Sequence, residues 1–202
     1  MGTFYIADGN SFAYRAFFGM PPLTTADGME VHAVYGFYNM LLKIIKEKKP
    51  DCFCIAFDYP GKTYRNKMFP GYKEKRQKMP DSLKIQMKLI KEIASSGKIP
   101  LLEEEGYEAD DLIASAAHDA EMKKMKVTVL TGDKDLIQIV NKNISILRVG
   151  RDGETILTPE SVKLKMGIEP KQIIDVLSLM GDSADNIPGV KGVGEKTAYA
   201  LV

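Results

Sequence analysis

Gly106-Tyr107-Glu108-Ala109-Asp110-Asp111 places three carboxylates within four residues, immediately ahead of the apolar positions Leu112, Ile113, Ala116 and Ala117. Like charges held together repel, and each raises the pKa of its neighbour. A cation among them removes that cost. Hard divalent ions such as Mg²⁺ take oxygen ligands and are held by a few direct carboxylates plus waters. Glu108 and Asp111, three apart, share one face of a helix. Asp110 points elsewhere unless the helix begins at about Asp110. The plainer reading is capping. Acids in a first turn stabilise a helix by about 0.3–1 kcal/mol each, and Asp is a good N-cap. The hexapeptide alone leaves the two readings level, and the rest of the chain has to separate them.

Other short apolar runs also end in acids. Phe4-Tyr5-Ile6-Ala7 runs into Asp8-Gly9-Asn10, and Cys52 to Phe57 runs into Asp58. Ile99 to Leu102 precedes Glu103, Glu104 and Glu105. Val127 to Leu130 runs into Thr131-Gly132-Asp133-Lys134-Asp135. Each run has the length and composition of a buried strand. Helical patterns lie between them. Ser11–Phe18 forms a short helix bearing Arg15. Val31–Lys49 ends in a Lys-rich turn before Pro50. Pro80-Asp81-Ser82 opens a helix with Leu83, Met87, Ile90 and Ile93 at core spacing, closed by Gly97. Another helix follows the opening stretch to about Lys124. The sequence further predicts a helix over Leu136–Val140, strands over Ile144–Arg148 and Glu154–Leu157 around an Asp152-Gly153 turn, and helices starting at Pro159 and Pro170, the last ending at Met180.

Strands alternating with helices predict an α/β fold, a mostly parallel central sheet flanked by helices. Ligands of such sheets bind beyond the carboxyl ends of the strands. Asp8, Asp58, Asp133 and Asp135 all fall there. Any one Asp after a strand is most often a turn residue or a cap. Four such residues, together with Glu108, Asp110 and Asp111, favour a shared metal site.

The 202 residues, 45% hydrophobic and 27% charged, suffice for one good core and a small appendage. No apolar run approaches a membrane span and no signal peptide is visible, which predicts a cytoplasmic protein without a membrane partner. Cys52 and Cys54, two apart in an apolar run, read as buried, reduced core residues. The net charge is only +1, yet charge is segregated. Lys62, Arg65, Lys67, Lys73, Lys75, Arg76 and Lys78 face the single acid Glu74 in their stretch, whereas Glu103 to Asp135 holds ten acids against Lys123, Lys124, Lys126 and Lys134. A basic segment beside an acidic centre suits a metal-dependent phosphodiester enzyme, with cations for the backbone and anions for the metal. Taken singly, each charge run is most simply a solvated face. The basic stretch, broken at Pro60-Gly61 and Pro70-Gly71, reads as a mobile loop or short helices.

The C-terminal segment adds a second signal. Gly181-Asp182-Ser183-Ala184-Asp185-Asn186 supplies two acids three apart, followed by Ile187-Pro188-Gly189-Val190-Lys191-Gly192-Val193-Gly194-Glu195-Lys196. Gly189, Gly192 and Gly194 permit a tight hairpin with exposed amides. The next helix starts near Gly194, where its N-terminus can meet a phosphate, and Lys191 and Lys196 add charge. The pattern suits a duplex backbone held without reading its sequence.

Together, Asp8 in Ala-Asp-Gly, Phe57-Asp58, the Gly106–Asp111 stretch, Thr131-Gly132-Asp133-Lys134-Asp135 and Met180–Gly189 resemble the 5′-nuclease (flap endonuclease) family. The nearest likeness is to the N-terminal 5′→3′ exonuclease domain of bacterial DNA polymerase I. The resemblance covers essentially the whole chain. It implies a PIN-like α/β domain with a C-terminal helix–three-turn–helix (helix-hairpin-helix) DNA-binding motif. The nuclease core would span residues 1–180, with an arch-like basic segment at about 62–80, and the incomplete motif 181–202. The resemblance implies one metal group near Asp8, Asp58, Glu108, Asp110 and Asp111 and a second near Asp133, Asp135, Asp182 and Asp185, with Mg²⁺, or Mn²⁺ in its place. It also implies K⁺ on the carbonyls of the 188–194 hairpin.

The implied reaction is two-metal hydrolysis of DNA at a 5′ flap, nick or 5′ end in replication and repair. Asp8 and Asp110 would serve the metals, and Lys73 and Arg76 the charge developing on the phosphoryl oxygens. Arg15, Arg65, Tyr72, Lys73 and Arg76 match substrate-contacting positions, and Tyr72 reads equally as an aromatic that stacks on a base or as a loop aromatic packed on the domain. Gly189, Lys191, Gly192, Gly194 and Lys196 fall in the duplex-gripping hairpin. The expected protein is a nucleoid-associated monomer, either a fragment whose longer form carries a covalently linked polymerase domain or a compact variant. Two alternatives are a metal- and DNA-binding fragment that does not turn over, and a PIN-type ribonuclease. The Gly-Val-x-Gly-Val-Gly hairpin disfavours the second.

Overall fold

A computed structural model of the protein describes residues 2–150 and 153–202. The sheet has six strands: β1 (Thr3–Asp8), β2 (Cys52–Ala56), β3 (Leu101–Leu102), β4 (Lys126–Leu130), β5 (Ile144–Gly150) and β6 (Gly153–Leu157), in the order β3-β2-β1-β4-β5-β6. All neighbours are parallel except β5 and β6, which pair antiparallel from Ile146↔Leu157 to Gly150↔Gly153. Arg151 and Asp152, half of the expected turn, lie outside the described residues.

The central strand is β1, with Ile6 and Ala7 fully buried. Parallel strands covered on both faces need such continuous apolar runs. One face packs on α1 (Gly9–Gly19), α2 (His32–Lys48) and α4 (Asp81–Ser96) through Phe12, Phe37, Leu41, Leu83 and Ile90. The other packs on α5 (Ala109–Met122), α6 (Pro159–Met166) and α7 (Ile173–Met180) through Ile113, Ala117, Val162 and Val176. Each fully buried Ile or Leu contributes roughly 1.5–3 kcal/mol. Two short helices complete the fold, α3 (Tyr64–Met68) and α8 (Glu195–Leu201).

The strand order places the site. The chain runs outward from β1 to β3 and then returns to the other side of β1 with β4. The β1/β4 boundary is therefore the point where the winding reverses, and the crevice at its carboxyl end is where such sheets bind ligands. Asp8 closes β1, Asp58 lies two residues past β2, and Thr131-Gly132-Asp133 leaves β4.

Several local expectations change. Cys54 is buried but Cys52, at the start of β2, is exposed, so only one of the pair is a core residue. β3 is only two residues long, Leu101–Leu102, and starts three residues after Lys98, which takes a left-handed φ of 57°. Asp135–Ile139 is a 3-10 turn rather than a helix over Leu136–Val140: Asp133 Oδ1 accepts the Asp135 N–H at 2.8 Å and tightens the chain there. The basic stretch contains α3 and a set of turns tied down by partners distant in sequence. Asn186 Nδ2 donates to the Gly71 carbonyl at 2.8 Å, and the Lys73 N–H to the Asp185 carbonyl at 3.0 Å.

Candidate active site

Asp8 both ends β1 and caps α1. Its Oδ1 accepts the Ser11 N–H at 2.9 Å, and its Oδ2 accepts from the Thr131 hydroxyl at 2.7 Å. Asp58 accepts from Asn10 Nδ2 at 2.5 Å and from the Ala109 N–H at 2.8 Å, which ties β2 to the first turn of α5. At the start of α5 capping is real. Asp111 Oδ2 accepts the Glu108 N–H at 3.0 Å. Asp182 Oδ1 likewise accepts the N–H groups of Ala184 and Asp185. Capping and convergence coexist, because the strand and helix termini that need caps all meet at one edge of the sheet.

One cleft of about 1310 Å³ is lined by Asp8, Asp58, Glu108, Asp110, Asp111, Asp133, Asp135, Asp182 and Asp185. Every acid assigned to a metal group therefore opens into the same space, whereas Glu103, Glu104 and Glu105, which follow β3, do not line it. Arg65, Tyr72, Lys73 and Arg76 line it too. Arg15 does not; it lines a neighbouring cavity. Gly189, Lys191, Gly192, Gly194 and Lys196 are exposed, in or next to the loop before α8, and none lines the cleft.

The acids fall into two electrostatic classes. Glu108 and Asp111 already have cations. Arg65 makes a two-pronged contact with Asp111 (2.7 and 2.8 Å), and Lys73 Nζ lies 2.9 Å from Glu108 Oε1. Burial raises the Asp111 carboxyl, but the Arg65 bonds and the Glu108 N–H outweigh it, and the net shift is downward. Asp110, one residue away, is the opposite. Burial, then the carboxylates of Asp133, Asp8 and Asp58, push it up to about 8. Burial likewise takes Asp8 and Asp135 up to about 6, in Asp8 against the opposing bonds from Ser11 and Thr131. Asp135 Oδ1 is buried with no hydrogen-bond partner among the described residues.

The donor set therefore fits hard divalent cations. Nine carboxylates share one cleft, three of them are pushed upward by burial and by one another, and one buried oxygen lacks a partner among the described residues. Among the described residues, no three His, Cys, Asp or Glu side chains are already gathered at ligand distance. An ion would have to draw the carboxylates inward.

Of the two readings of Tyr72, the packed aromatic is the one the structure shows. It is 7% exposed, with its hydroxyl donating to Glu108 Oε2 at 2.9 Å and lying 3.3 Å from Asp185 Oδ2. Its ring is used in packing the basic segment onto the acids, which leaves no face for a base. Asn10 and Thr131 were not singled out beforehand, yet they hold Asp58 and Asp8. Their places beside Asp-Gly and Gly-Asp turns are the only signal the sequence offers.

The profile of the 5′-3′ exonuclease N-terminal resolvase-like domain matches residues 3–167, and that of the 5′-3′ exonuclease C-terminal SAM fold matches 168–202. The chain belongs to the 5′-3′ exonuclease family. It is a family of nucleases, hydrolases that act on DNA. A 5′-3′ exonuclease of Aquifex aeolicus is 48% identical over 202 residues, spanning 100% of this chain and 69% of that protein. DNA polymerase I of Bacillus subtilis is 47% identical over 199 residues, 98% of this chain but only 23% of the polymerase. The chain thus spans about a quarter of the DNA polymerase I relatives it matches. Among solved structures, the bacteriophage T5 flap endonuclease in a complex with DNA and metal ions superposes with a TM-score of 0.81 at 19% identity, covering 98% of this chain and 74% of that one. That likeness places the six-stranded sheet and its helices in the same fold. Another T5 5′-exonuclease structure, with bound zinc, gives 0.78 over 98% and 74% of the two chains.

Proposed function

We propose that this 5′-3′ exonuclease family member hydrolyses DNA phosphodiesters at 5′ flaps, nicks and 5′ ends with divalent metal ions, Mg²⁺ foremost and Mn²⁺ as a substitute. The observation that carries this reading is the convergence of nine carboxylates from separate turns and loops into one cleft beside Arg65, Lys73 and Arg76. Asp8, Asp58, Glu108, Asp110 and Asp111 would hold one metal group and Asp133, Asp135, Asp182 and Asp185 the other. Such ions, when bound, supply an activated water and neutralise charge on the leaving oxygen.

The chain's own side chains do the rest. Asp110 gives up its proton as positive charge arrives. Lys73, now on Glu108, and Arg76, exposed at the cleft wall, are placed to meet the phosphoryl oxygens. Arg65 stays on Asp111 and keeps the α5 terminus rigid. Arg15, Lys191 and Lys196, with the amides of Gly189, Gly192 and Gly194, hold the duplex backbone, and carbonyls of the 188–194 loop suit K⁺. Among the described residues no helix is long and apolar enough to cross a membrane. A monomer working on nucleoid DNA, with a polymerase on the same polypeptide as in its larger relatives, completes the proposal.

The test is cleavage of a labelled 5′-flap DNA with Mg²⁺ and with chelator, beside Asp110→Ala. Metal-dependent cutting near the flap junction, lost in the variant, is the expected result. Cutting that persists in chelator or in Asp110→Ala would sink it. The same flap made in RNA should resist.

A further inference from the structure

A second cavity lies across the Thr131-Gly132-Asp133 loop from the acidic cleft. Its volume is about 440 Å³. The ionisable side chains that line it are Arg15, Arg148 and Lys165, and no acid among the described residues does so. Ser11, Thr131 and Thr155 add hydroxyls, over an apolar floor that includes Leu157 and Val162. The sign of charge is therefore opposite to that of the cleft next door.

Arg148 is the informative residue. It stands near the carboxyl end of β5, paired in register with Thr155 of β6. One terminal nitrogen, Nη2, donates to the Asp133 carbonyl at 3.3 Å. Its Nε is buried and has no acceptor among the described residues. A buried donor left unpaired is costly, and guanidinium groups pair best with planar or tetrahedral oxyanions. The loop that Arg148 grips is the one whose other side holds the acids. Thr131 donates to Asp8, and the Gly132 N–H donates to Ser11 Oγ at 3.1 Å. Ser11 lines both cavities. The two sites thus share a wall that is one short turn thick.

The geometry points to a phosphate-binding pocket formed by Arg148, Arg15 and Lys165, which takes a backbone phosphate of the nucleic-acid strand lying across the acidic cleft. This deepens the nuclease reading and rests on it for the source of the phosphate. The Arg148 guanidinium, turned slightly toward the cavity that its side chain lines, meets a phosphate oxygen, Arg15 and Lys165 close the rim, and the strand is held on the β5–β6 side of the site. Because Arg148 is bonded to Asp133, filling the pocket also steadies the loop that carries that acid.

Two measurements test it. In the first, inorganic phosphate is titrated into the wild-type protein while the Arg148 Nε–H resonance is followed by NMR. A saturable shift of that resonance is expected, absent when Thr155→Glu, an exposed rim substitution, puts a negative charge beside the pocket. No shift in wild type overturns the pocket. In the second, 5′-flap DNA binding is measured against salt, in chelator so that nothing is cut, for wild type, Arg148→Gln and Lys165→Gln. Each phosphate contact contributes about 0.7–0.9 to the slope of log K against log[salt]. The variants should bind several-fold more weakly, with the slope reduced by about that amount. Lys165 is exposed, so its variant keeps the test sound if Arg148→Gln fails to fold. Wild-type cleavage with unchanged variant slopes overturns the strand contact alone. A wild type that neither binds nor cuts DNA overturns the nuclease reading, while the phosphate titration still reports on the pocket by itself.

Discussion

Asp110 and Asp111 are adjacent, and replacing each by Asn should move stability in opposite directions. Asp110 sits at about 8 in the folded protein against 3.8 for the ordinary side chain. Between those values the unfolded chain has released the proton and the folded chain still holds it. Stability therefore falls as pH rises through that window. At pH 7 the gap is about three pH units at 1.36 kcal/mol each, a ceiling of roughly 4 kcal/mol. The cleft is open to water, which screens its carboxylates, so we expect Asp110→Asn to recover about 1–3 kcal/mol, or roughly 3–10 °C in Tm for a chain of this size. The gain should vanish near pH 4 and be full by about pH 8.

Asp111 is shifted the other way. Its ionised form is stabilised by Arg65, so its contribution is full above the ordinary carboxyl pKa and is lost only as pH falls through the lowered folded value. Asp111→Asn should lower Tm across the range from pH 8 to 4, with a deficit that closes only in stronger acid. Thermal unfolding of the three proteins from pH 4 to 8 in chelator decides the matter. Equal signs for the two variants, or an Asp110→Asn gain that ignores pH, would refute the two-class account of the acids.

Adding Mg²⁺ should raise the wild-type Tm by mass action, about 2.7 kcal/mol when the ion is at a hundred times its Kd, and should raise that of Asp110→Asn less; thermal scans with and without the ion show it. Gly189→Ala would set a Cβ 2.3 Å from the Met180 carbonyl carbon and oxygen and 2.6 Å from the Gly181 nitrogen, all backbone. Unfolding measurements should show about 1–3 kcal/mol lost or more. Gly194→Ala, with open space around it, should change Tm little. Gln86, fully buried, uses Oε1 to accept the Ala33 N–H at 2.7 Å, a first-turn donor of α2 that its own N-cap Val31 leaves without a side-chain partner. Gln86→Leu should cost about 1–3 kcal/mol in chemical denaturation through that orphaned donor.

The acids were legible because a parallel sheet converts sequence into position: any residue just past a strand lands on one edge, whatever its distance along the chain. Asp8, Asp58 and Asp133 needed only that rule and the apolar runs before them. Contacts set by docking rather than by strand direction were not legible. Tyr72 reads as a loop aromatic, yet 36 residues later Glu108 accepts its hydroxyl, and the ring is buried as a consequence. Gly181 and Gly189 read as a turn and a hairpin glycine. What demands them is the backbone of each crossing the other too closely for any Cβ. Arg148 carries no motif at all, and its Nε, without a partner among the described residues, emerges only once β5 and β6 pair and α1 lines the same cavity. The same division bears on the site. The position of each carboxylate follows from the sheet, whereas its charge follows from which cation docks against it, and docking separates Asp110 from Asp111 although the sequence sets them side by side.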